Sequence, residues 1–366
     1  MPTIRCTDCS QAYPANGTPF CCPACGGVYD FDGAPEFDPR CVDASLPGLW
    51  RYRQAFSLHE NAPVVSLGEG LTPLLWDTVE GRAVGFKLEY QNPTGSYKDR
   101  GSAVLVSQLL ARGVGEAVED SSGNAGASFA AYAARAGMRA RVYVPETASG
   151  PKRTQIERYG AELKPIPGPR SAAAEAVMEE TRRGVPYASH AYLPFGLDGI
   201  ATIAYELWQQ TGDVGTVIAP VGHGGLLLGI LRGFAALMNG GHIQKLPHLV
   251  GVQAAACAPL VQAFKRGLAD KEPAGEGATI AEGVRVRNPV RARALLAGIQ
   301  PGAGTFLAIP EEEIWPAARE LARRGLYVEP TSALVWAAYR QLSGKIPEPA
   351  VLILSGSGFK ASTFNV

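Results

Sequence analysis

Short apolar segments alternate with segments of helical period from about Leu49 to the end of the chain. The apolar segments predict strands at residues 84–88, 141–144 and 217–220, and the segments that follow them predict helices at 102–112, 152–159 and 226–238. Strands that alternate with helices of this length predict an α/β fold, in which helices cover both faces of a parallel sheet. Ligands bind such sheets at the carboxyl ends of the strands, so the loops from strand to helix are the candidate sites.

Length and composition predict a globular protein of two or three domains, because the chain has 366 residues and 46% of them are hydrophobic. Its 34 basic residues are balanced by 34 acidic ones. The chain therefore lacks the basic character expected of a nucleic-acid-binding protein, and a small-molecule substrate is favoured. The first residues show no basic stretch followed by an apolar one, and no apolar run reaches membrane-spanning length. These features predict a cytoplasmic protein with no membrane partner.

Five of the seven cysteines lie within the first 25 residues. Cys6 and Cys9 form one C-x-x-C pair, Cys22 and Cys25 form another, and twelve residues separate the pairs. Four thiolates with this spacing can close a tetrahedral zinc site, which predicts a small structural zinc-ribbon-like module with Zn²⁺ as its metal. Cys21 leaves open which of two neighbouring thiols is the ligand, and a redox pair or a module without metal is the alternative. Residues 31–47, rich in Pro and Asp, are predicted to be a linker.

A lysine at a strand-to-helix junction is the first candidate for chemistry. Lys98 lies among small residues in NPTGSYKDRG, residues 92–101. The positive end of the helix dipole and burial both disfavour a cation at this position. A neutral amine is the form that imine chemistry requires. An exposed lysine in a turn is the alternative interpretation.

Two further loops could hold anionic groups. In SSGNAGA, residues 121–127, the first N–H groups of a helix and two hydroxyls could bind a carboxylate, and Asn124 could donate to a phenolic oxygen. In VGHGGL, residues 221–226, glycines would let the backbone close on a phosphate at the start of the next helix. The second loop has neither the ending of a P-loop nor the spacing of a dinucleotide fingerprint, which disfavours a nucleotide. Each loop alone could be an ordinary helix cap or a tight turn.

The last candidate is Ser355, which follows an apolar strand at residues 350–354. Its hydroxyl could hydrogen-bond a pyridine nitrogen, although a serine in a terminal turn is by default a cap. In this order, the four loops resemble those of the fold-type II pyridoxal 5'-phosphate (PLP) enzymes over residues 67–360, and among these they are most similar to the threonine synthases. The segments that carry this similarity are EGLTPL (69–74), NPTGSYKDRG (92–101), AYAARAG (131–137), TIA (279–281), RNPV (287–290), EPTSA (329–333) and SGSGFK (355–360).

The resemblance implies that PLP is the cofactor and that Lys98 holds it as a Schiff base and moves protons in catalysis. It also implies that Asn124 bonds the phenolic oxygen and Ser355 the pyridine nitrogen of the cofactor. The implied phosphate cup consists of Gly222, His223, Gly224, Gly225 and Leu226. The implied substrate-binding residues are Ser96, Ser121, Ser122, Gly123 and Ala125.

Pattern and resemblance together predict an α/β fold of fold-type II, with two open parallel-sheet α/β domains and a small N-terminal module. The predicted parts are residues 1–46 for the zinc-ribbon-like module and linker, 47–92 with 193–366 for the large PLP-binding domain, and 93–192 for the small domain. The residues do not indicate the oligomeric state, although a homodimer is common among the enzymes that the chain resembles.

The implied reaction converts O-phosphohomoserine and water to threonine and phosphate. Threonine synthases generally hold the substrate phosphate with asparagine and arginine in a segment where this chain reads ASHAYLPFGLDGIAT, residues 188–202, without arginine. A dianionic phosphate usually needs a cationic partner, which Lys87, Lys152 or Arg153 could supply. The segment is more similar to the threonine and serine ammonia-lyases, so elimination or replacement on serine, threonine or a β-substituted alanine is the alternative. A zinc-ribbon binding protein with an inert body is a remote third hypothesis.

Overall fold

The computed structural model describes residues 3–33, 36–59, 61–148, 150–168, 170–272, 275, 277–300 and 302–361. The chain divides into two compact units. The first unit contains the described residues up to Glu69 together with Lys98–Gly199, and the second contains Gly70–Tyr97 and Ile200–Ala361. The backbone therefore leaves the first unit after Glu69, returns at Lys98 and leaves again after Gly199.

The described residues form eleven strands and ten α-helices. The strands are β1 (Thr3–Cys6), β2 (Tyr29–Asp32), β3 (Leu74–Val79), β4 (Arg82–Lys87), β5 (Glu116–Glu119), β6 (Arg139–Pro145), β7 (Glu162–Ile166), β8 (Thr216–Pro220), β9 (His248–Ala254), β10 (Gly304–Ile309) and β11 (Ala350–Ile353). The helices are α1 (Lys98–Ala111), α2 (Asn124–Ala136), α3 (Pro151–Arg158), α4 (Arg170–Arg182), α5 (Gly196–Thr211), α6 (Gly225–Asn239), α7 (Pro259–Lys265), α8 (Ala292–Gly298), α9 (Glu311–Arg323) and α10 (Pro330–Leu342).

The first unit contains a parallel sheet in the order β5-β6-β7 and an antiparallel pair of strands, β1 and β2. Helix α2 is rich in alanine and is buried over most of its length, and α1 and α3 pack against it. It ends at Gly137, whose left-handed φ of 66° suits a glycine at the end of a helix. Small side chains let α2 lie close to its neighbours, so the loop that precedes it has a rigid support.

The second unit contains one six-stranded sheet in the order β10-β9-β8-β11-β4-β3. Its strands are parallel except for β3, which pairs with β4 in the antiparallel direction at the edge. Strands β8 and β11 are buried along their whole length, as expected of central strands covered on both faces. Helix α10 packs on this sheet, where Trp336 lies against Phe86. The predicted α/β fold class is confirmed, and the larger sheet has one antiparallel edge strand.

The N-terminal cysteine segment packs on the rest of the first unit through a cation and several rings. The guanidinium group of Arg112, at the end of α1, donates to the carbonyl oxygens of Pro14 (3.0 Å), Ala15 (3.2 Å) and Gly17 (2.9 Å). It also lies over the rings of Tyr13 and Phe195, at 5.0 and 5.3 Å from their centroids. The end of α1 therefore holds the loop between the two cysteine pairs.

The segment predicted to be a linker contains ordered structure where the structure describes it. Phe31 belongs to β2, and Phe37 is buried with its ring 6.1 Å from that of Tyr52. Residues 34 and 35 lie outside the described residues. The three-part domain division stays a prediction, and the two compact units follow other limits. Among the described residues, no helix is long and apolar enough to span a membrane.

Candidate cofactor and substrate site

The glycine-rich loop lies at the carboxyl end of β8 and leads directly into α6. Gly224 has a left-handed φ of 99°, and a Cβ there would lie 2.8 Å from Leu295 Cδ1. A Cβ on Gly222 would lie 2.7 Å from the carbonyl oxygen of Gly283. Both positions therefore require glycine, and the first N–H groups of α6 follow without an intrahelical acceptor, as in anion-binding helix starts.

Residues far along the chain hold this loop in place. The N–H of Gly283 donates to Thr331 Oγ1 at 3.1 Å, which fixes the carbonyl group that faces Gly222. The N–H of Arg291 donates to the carbonyl oxygen of His223 at 3.0 Å. Sequence reasoning assigned no role to Gly283, Thr331 or Arg291. The only signal was that Thr331 belongs to a segment that resembles the threonine synthases.

Ser355 follows β11 and is buried. Its Oγ lies 3.1 Å from Oγ of Ser332, and Ser332 Oγ also accepts from the N–H of Gly356 at 2.8 Å. The cap of the following 3-10 helix is Ser357, which accepts from the N–H of Phe359. Ser355 is therefore not the cap of that helix, and its hydroxyl is oriented by Ser332, to which sequence reasoning gave no role.

Ser96 lies on the segment that follows β4 in the second unit. It is fully buried, and its Oγ has no hydrogen-bond partner within the residues that the structure describes. Ser96 forms an antiparallel bridge with Gly356, and the N–H of Tyr97 donates to the carbonyl oxygen of Ser355 at 3.0 Å. The residues immediately before Lys98 are thus fixed beside Ser355.

The second unit therefore gathers Ser96, Ser355 and the glycine-rich loop at one edge of its sheet. Strands β4, β11 and β8 are consecutive neighbours and parallel, and each of the three segments follows one of them. This is the edge at which parallel α/β sheets bind ligands.

The first unit holds the remaining predicted residues. Lys98 is the first residue of α1 and is half-buried. Asn124 is the first residue of α2 and follows the loop that contains Ser121, Ser122 and Gly123. Oγ of Ser121 accepts from the N–H of Gly123 at 3.2 Å. Ala125 is buried in the first turn of α2.

Gly126 makes the tight turn at the start of α2 possible. A Cβ at this position would lie 1.8 Å from the carbonyl oxygen of Ser121, which no side chain allows. It would also lie 3.2 Å from Ile156 Cδ1 of α3, so α3 packs directly behind the loop. Sequence reasoning quoted Gly126 without recognising this constraint.

Two carboxylates precede the Ser121 loop at the end of β5. Glu119 is buried, and its Oε1 lies 3.2 Å from Nδ1 of His190. Asp120 accepts a hydrogen bond of 2.8 Å from the hydroxyl group of Tyr187. Burial raises the pKa of Tyr187 well above its ordinary value, and Asp120 and Glu119 raise it further, so this phenol stays protonated and donates. Sequence reasoning missed this cluster because its partners lie about seventy residues apart.

Lys87 does not lie where a substrate could reach it. It is fully buried, and its ammonium group contacts Glu206 Oε2 at 2.7 Å, the carbonyl oxygen of Thr72 at 2.7 Å and Gln210 Oε1 at 3.0 Å. These three acceptors match the three N–H donors of a lysine. The suggestion that Lys87 could bind a substrate phosphate is therefore wrong, because a structural ion pair already uses its charge.

The four predicted metal-binding cysteines are brought together. The sulfur atoms of Cys6, Cys9, Cys22 and Cys25 all lie within 4.8 Å of one another. Cys6 Sγ lies 3.4 Å from Cys25 Sγ, and Cys9 Sγ lies 3.6 Å from Cys22 Sγ. Among the described residues the group contains Cys22 and not Cys21.

Comparisons with known proteins agree with this geometry. The family described as "Pyridoxal-phosphate dependent enzyme" matches residues 65–356. The threonine synthase of Methanocaldococcus jannaschii is 35% identical over 97% of this chain and 92% of its own length. That of Methanosarcina acetivorans is 32% identical over 93% of this chain and 87% of its own length.

Solved structures share the fold. A threonine deaminase from T.th. is 28% identical with a TM-score of 0.69, over 81% of this chain and 94% of that one. A maize serine racemase, 20% identical with a TM-score of 0.68 over 78% of this chain and 88% of that one, shows the fold alone. The predicted family and fold class are confirmed: the chain belongs to the pyridoxal-phosphate dependent enzymes, as a lyase of the threonine synthase-like kind.

Proposed function

We propose that this enzyme converts O-phosphohomoserine and water to threonine and phosphate with PLP as its cofactor. The observation that carries the proposal is the arrangement of the second unit, where Ser96, Ser355 and the glycine-rich loop follow three neighbouring parallel strands. The similarity to threonine synthases over nearly the whole chain supports the choice of reaction.

The residues of the second unit fit PLP. Gly222 and Gly224 leave a cradle that a Cβ would fill, and a phosphate needs that close approach to backbone N–H groups. Ser355 offers a neutral hydroxyl to a pyridine nitrogen. The buried Oγ of Ser96 lacks a partner within the described residues, which a polar ligand atom would supply.

When bound, PLP supplies an electron sink for carbanion chemistry. We assign to the ε-amine of Lys98 the binding of the cofactor and the transfer of protons between Cα and Cβ of the substrate. We assign to Asn124 a hydrogen bond to the phenolic oxygen of the cofactor. The N–H groups of the loop that contains Ser121 would bind the substrate carboxylate, as helix starts do.

The substrate phosphate needs a cation, and the structure narrows the choice. Lys87 is unavailable because of its buried ion pair. The guanidinium group of Arg153 donates to the carbonyl oxygen of Ala148 at 2.9 Å and contacts Glu157 at 3.4 Å. We propose the start of α3, which carries Lys152 and Arg153, as the phosphate partner, since α3 packs behind the Ser121 loop. Lys152→Ala should raise the KM for O-phosphohomoserine.

A second reaction, elimination of ammonia from threonine or serine, is favoured by one observation. Residues 188–202 contain no arginine, and the structure places His190 of that segment against the buried Glu119. A buried carboxylate near the substrate loop would disfavour a dianion. The structural similarity to a threonine deaminase is consistent with this alternative.

Direct assay separates the two reactions. The purified enzyme is supplied with O-phosphohomoserine, and the threonine and phosphate formed are measured. The first reaction predicts equal amounts of the two products. In parallel it is supplied with threonine or serine, and 2-oxo acid is measured. Lys98→Ala is the control that should abolish both. Formation of 2-oxo acid without phosphate release from O-phosphohomoserine would replace the first reaction with the second, and neither product from a yellow, PLP-loaded protein would reject both.

We also propose that Cys6, Cys9, Cys22 and Cys25 bind one structural Zn²⁺. Four sulfur donors within 4.8 Å of one another suit tetrahedral zinc. Cys22→Ser should lose the metal, whereas Cys21→Ser, one residue away, should keep it. Metal content of the two variants, determined by atomic absorption, is the measurement. Equal loss from both would show that the proposed ligand set is wrong.

A further inference from the structure

The inner face of α2 carries three polar residues among mostly apolar neighbours. Asn124, Ser128 and Tyr132 are spaced by four, which places them in line on one side of the helix. Their neighbours are alanine, glycine and phenylalanine, and both Ser128 and Tyr132 are fully buried. Because a buried hydroxyl is costly unless it is hydrogen-bonded, each of these groups needs a defined partner.

The partners of Ser128 belong to the first two turns of α1. Ser128 Oγ donates to Asp99 Oδ1 at 2.6 Å and lies 2.7 Å from Ser102 Oγ. All three residues are buried, and Asp99 follows Lys98 directly. Asn124 lies one helical turn before Ser128. A single buried hydroxyl thus ties the turn that begins with Lys98 to the turn that begins with Asn124.

The backbone of the same turn of α1 is also enclosed. A Cβ on Gly199 would lie 2.0 Å from the carbonyl oxygen of Arg100, and one on Gly196 would lie 3.1 Å from that of Gly101. The start of α5 therefore packs directly on the start of α1. This contact blocks movement of the turn toward α5, and the hydroxyl of Ser128 supplies the polar contact on the side of α2.

We propose that Ser128 is a positioning residue that sets the distance between Lys98 and Asn124. The inference rests on the proposed roles of these two residues toward PLP, and it does not depend on which amino acid is the substrate. If Lys98 and Asn124 bind neighbouring substituents of one rigid ring, a small change in their spacing weakens both contacts. Removal of the hydroxyl also leaves the buried carboxylate of Asp99 without one of its donors.

Tyr132 provides a matched control on the same face of the same helix. Its hydroxyl donates to Glu69 Oε2 at 2.7 Å, so Tyr132→Phe also removes a donor from a buried carboxylate. Burial raises the pKa of Tyr132, and Asp99 and Glu69 raise it further, so the phenol is a hydrogen donor throughout the working range. Glu69 is not part of α1, so this change spares the direct contact with the first turn.

The test compares Ser128→Ala, Ser102→Ala and Tyr132→Phe as PLP-loaded enzymes. We expect Ser128→Ala to weaken PLP binding roughly tenfold, equal to about 1.4 kcal/mol, and to change the circular dichroism of the bound cofactor, which reports its orientation. Ser102→Ala should show a smaller effect of the same kind. Tyr132→Phe should lower the unfolding temperature as much as Ser128→Ala but leave PLP affinity within about twofold.

A lower unfolding temperature in Ser128→Ala with unchanged PLP affinity and circular dichroism would overturn the proposal. Equal changes of PLP affinity and circular dichroism in Ser128→Ala and Tyr132→Phe would also overturn it. If Ser128→Ala does not fold, Ser102→Ala decides between the same outcomes. Borohydride reduction of the wild-type enzyme followed by peptide mapping shows separately whether PLP is attached to Lys98. A negative result there would reject the proposed role of Lys98, and it is distinguishable from failure of the Ser128 variants.

Discussion

The buried ion pair between Lys87 and Glu206 allows a sharp prediction about the second unit. Both side chains are almost completely buried, at 0% and 1% exposure, and their charged atoms are 2.7 Å apart. At an effective dielectric constant of about 20, two unit charges at this distance attract by about 6 kcal/mol. Most of that attraction offsets the cost of removing both charges from water.

Lys87→Met removes the cation and leaves Glu206 buried beside apolar atoms. We expect the free energy of unfolding to fall by about 3–5 kcal/mol, because an uncompensated buried charge remains. The double variant Lys87→Met, Glu206→Leu removes both charges and should cost less than the single variant. Glu206 Oε1 also accepts from the N–H of Leu71 at 2.8 Å. The double variant loses this hydrogen bond, so its free energy of unfolding should still lie below that of the wild-type enzyme.

Urea unfolding, followed by both tryptophan fluorescence and far-UV circular dichroism, measures these free energies. A cost below about 1 kcal/mol for Lys87→Met, or a double variant less stable than the single one, would refute the reasoning. The same variant also tests the location of Lys87. If Lys87 bound a substrate phosphate instead, Lys87→Met would raise KM without lowering the free energy of unfolding.

Three further predictions concern other parts of the molecule. Gly222→Ala should reduce PLP affinity by more than tenfold in a dialysis assay, because the added Cβ would lie 2.7 Å from a carbonyl oxygen, whereas Gly115→Ala, with open space around its Cα, should not. Arg112→Met should lower the free energy of unfolding by about 1.5–3 kcal/mol and speed metal loss to a chelator, because three carbonyl oxygens lose a charged donor. Burial lowers the pKa of His248 below 6.5, so near this pH the folded state binds fewer protons than the unfolded state. Stability should therefore fall as the pH decreases below 6.5. In His248→Gln, which cannot bind this proton, the unfolding temperature should fall less between pH 7 and 5.

The sequence predicted most accurately the elements whose apolar pattern is continuous. The strand expected at 217–220 and the helix expected at 226–238 are Thr216–Pro220 and Gly225–Asn239 in the structure. All five residues of the strand and ten of the fifteen residues of the helix are buried, so pattern and burial agree. The four cysteines of the proposed metal site were also identified correctly as a group, because their spacing alone constrains them.

The start of α1 was placed less accurately. The pattern predicted a helix from residue 102, whereas α1 begins at Lys98. The difference arises because Asp99 and Arg100 are fully buried, and a hydrophobic pattern counts such residues as exposed. Likewise, the sequence alone leaves Lys87, at the end of β4, as a candidate partner for the substrate phosphate, since its partner Glu206 lies 119 residues further along the chain. Buried polar pairs of this kind depend on the fold and have no local signal.

Buried polar side chains make hydrogen bonds close to the points where the backbone passes from one unit to the other. Around the first passage the chain has neither strand nor helix to satisfy its N–H groups, and carboxylate and amide side chains accept from them. Leu67 donates to Glu69 Oε2 at 2.8 Å, Gly70 to Asn92 Oδ1 at 2.9 Å and Leu71 to Glu206 Oε1 at 2.8 Å. At the second passage, the carboxylate of Asp99 binds Ser128. Each of these acceptors is buried, so its loss leaves a backbone N–H or a hydroxyl group without its partner, and around the first passage side-chain contacts rather than a sheet or a helix hold the backbone.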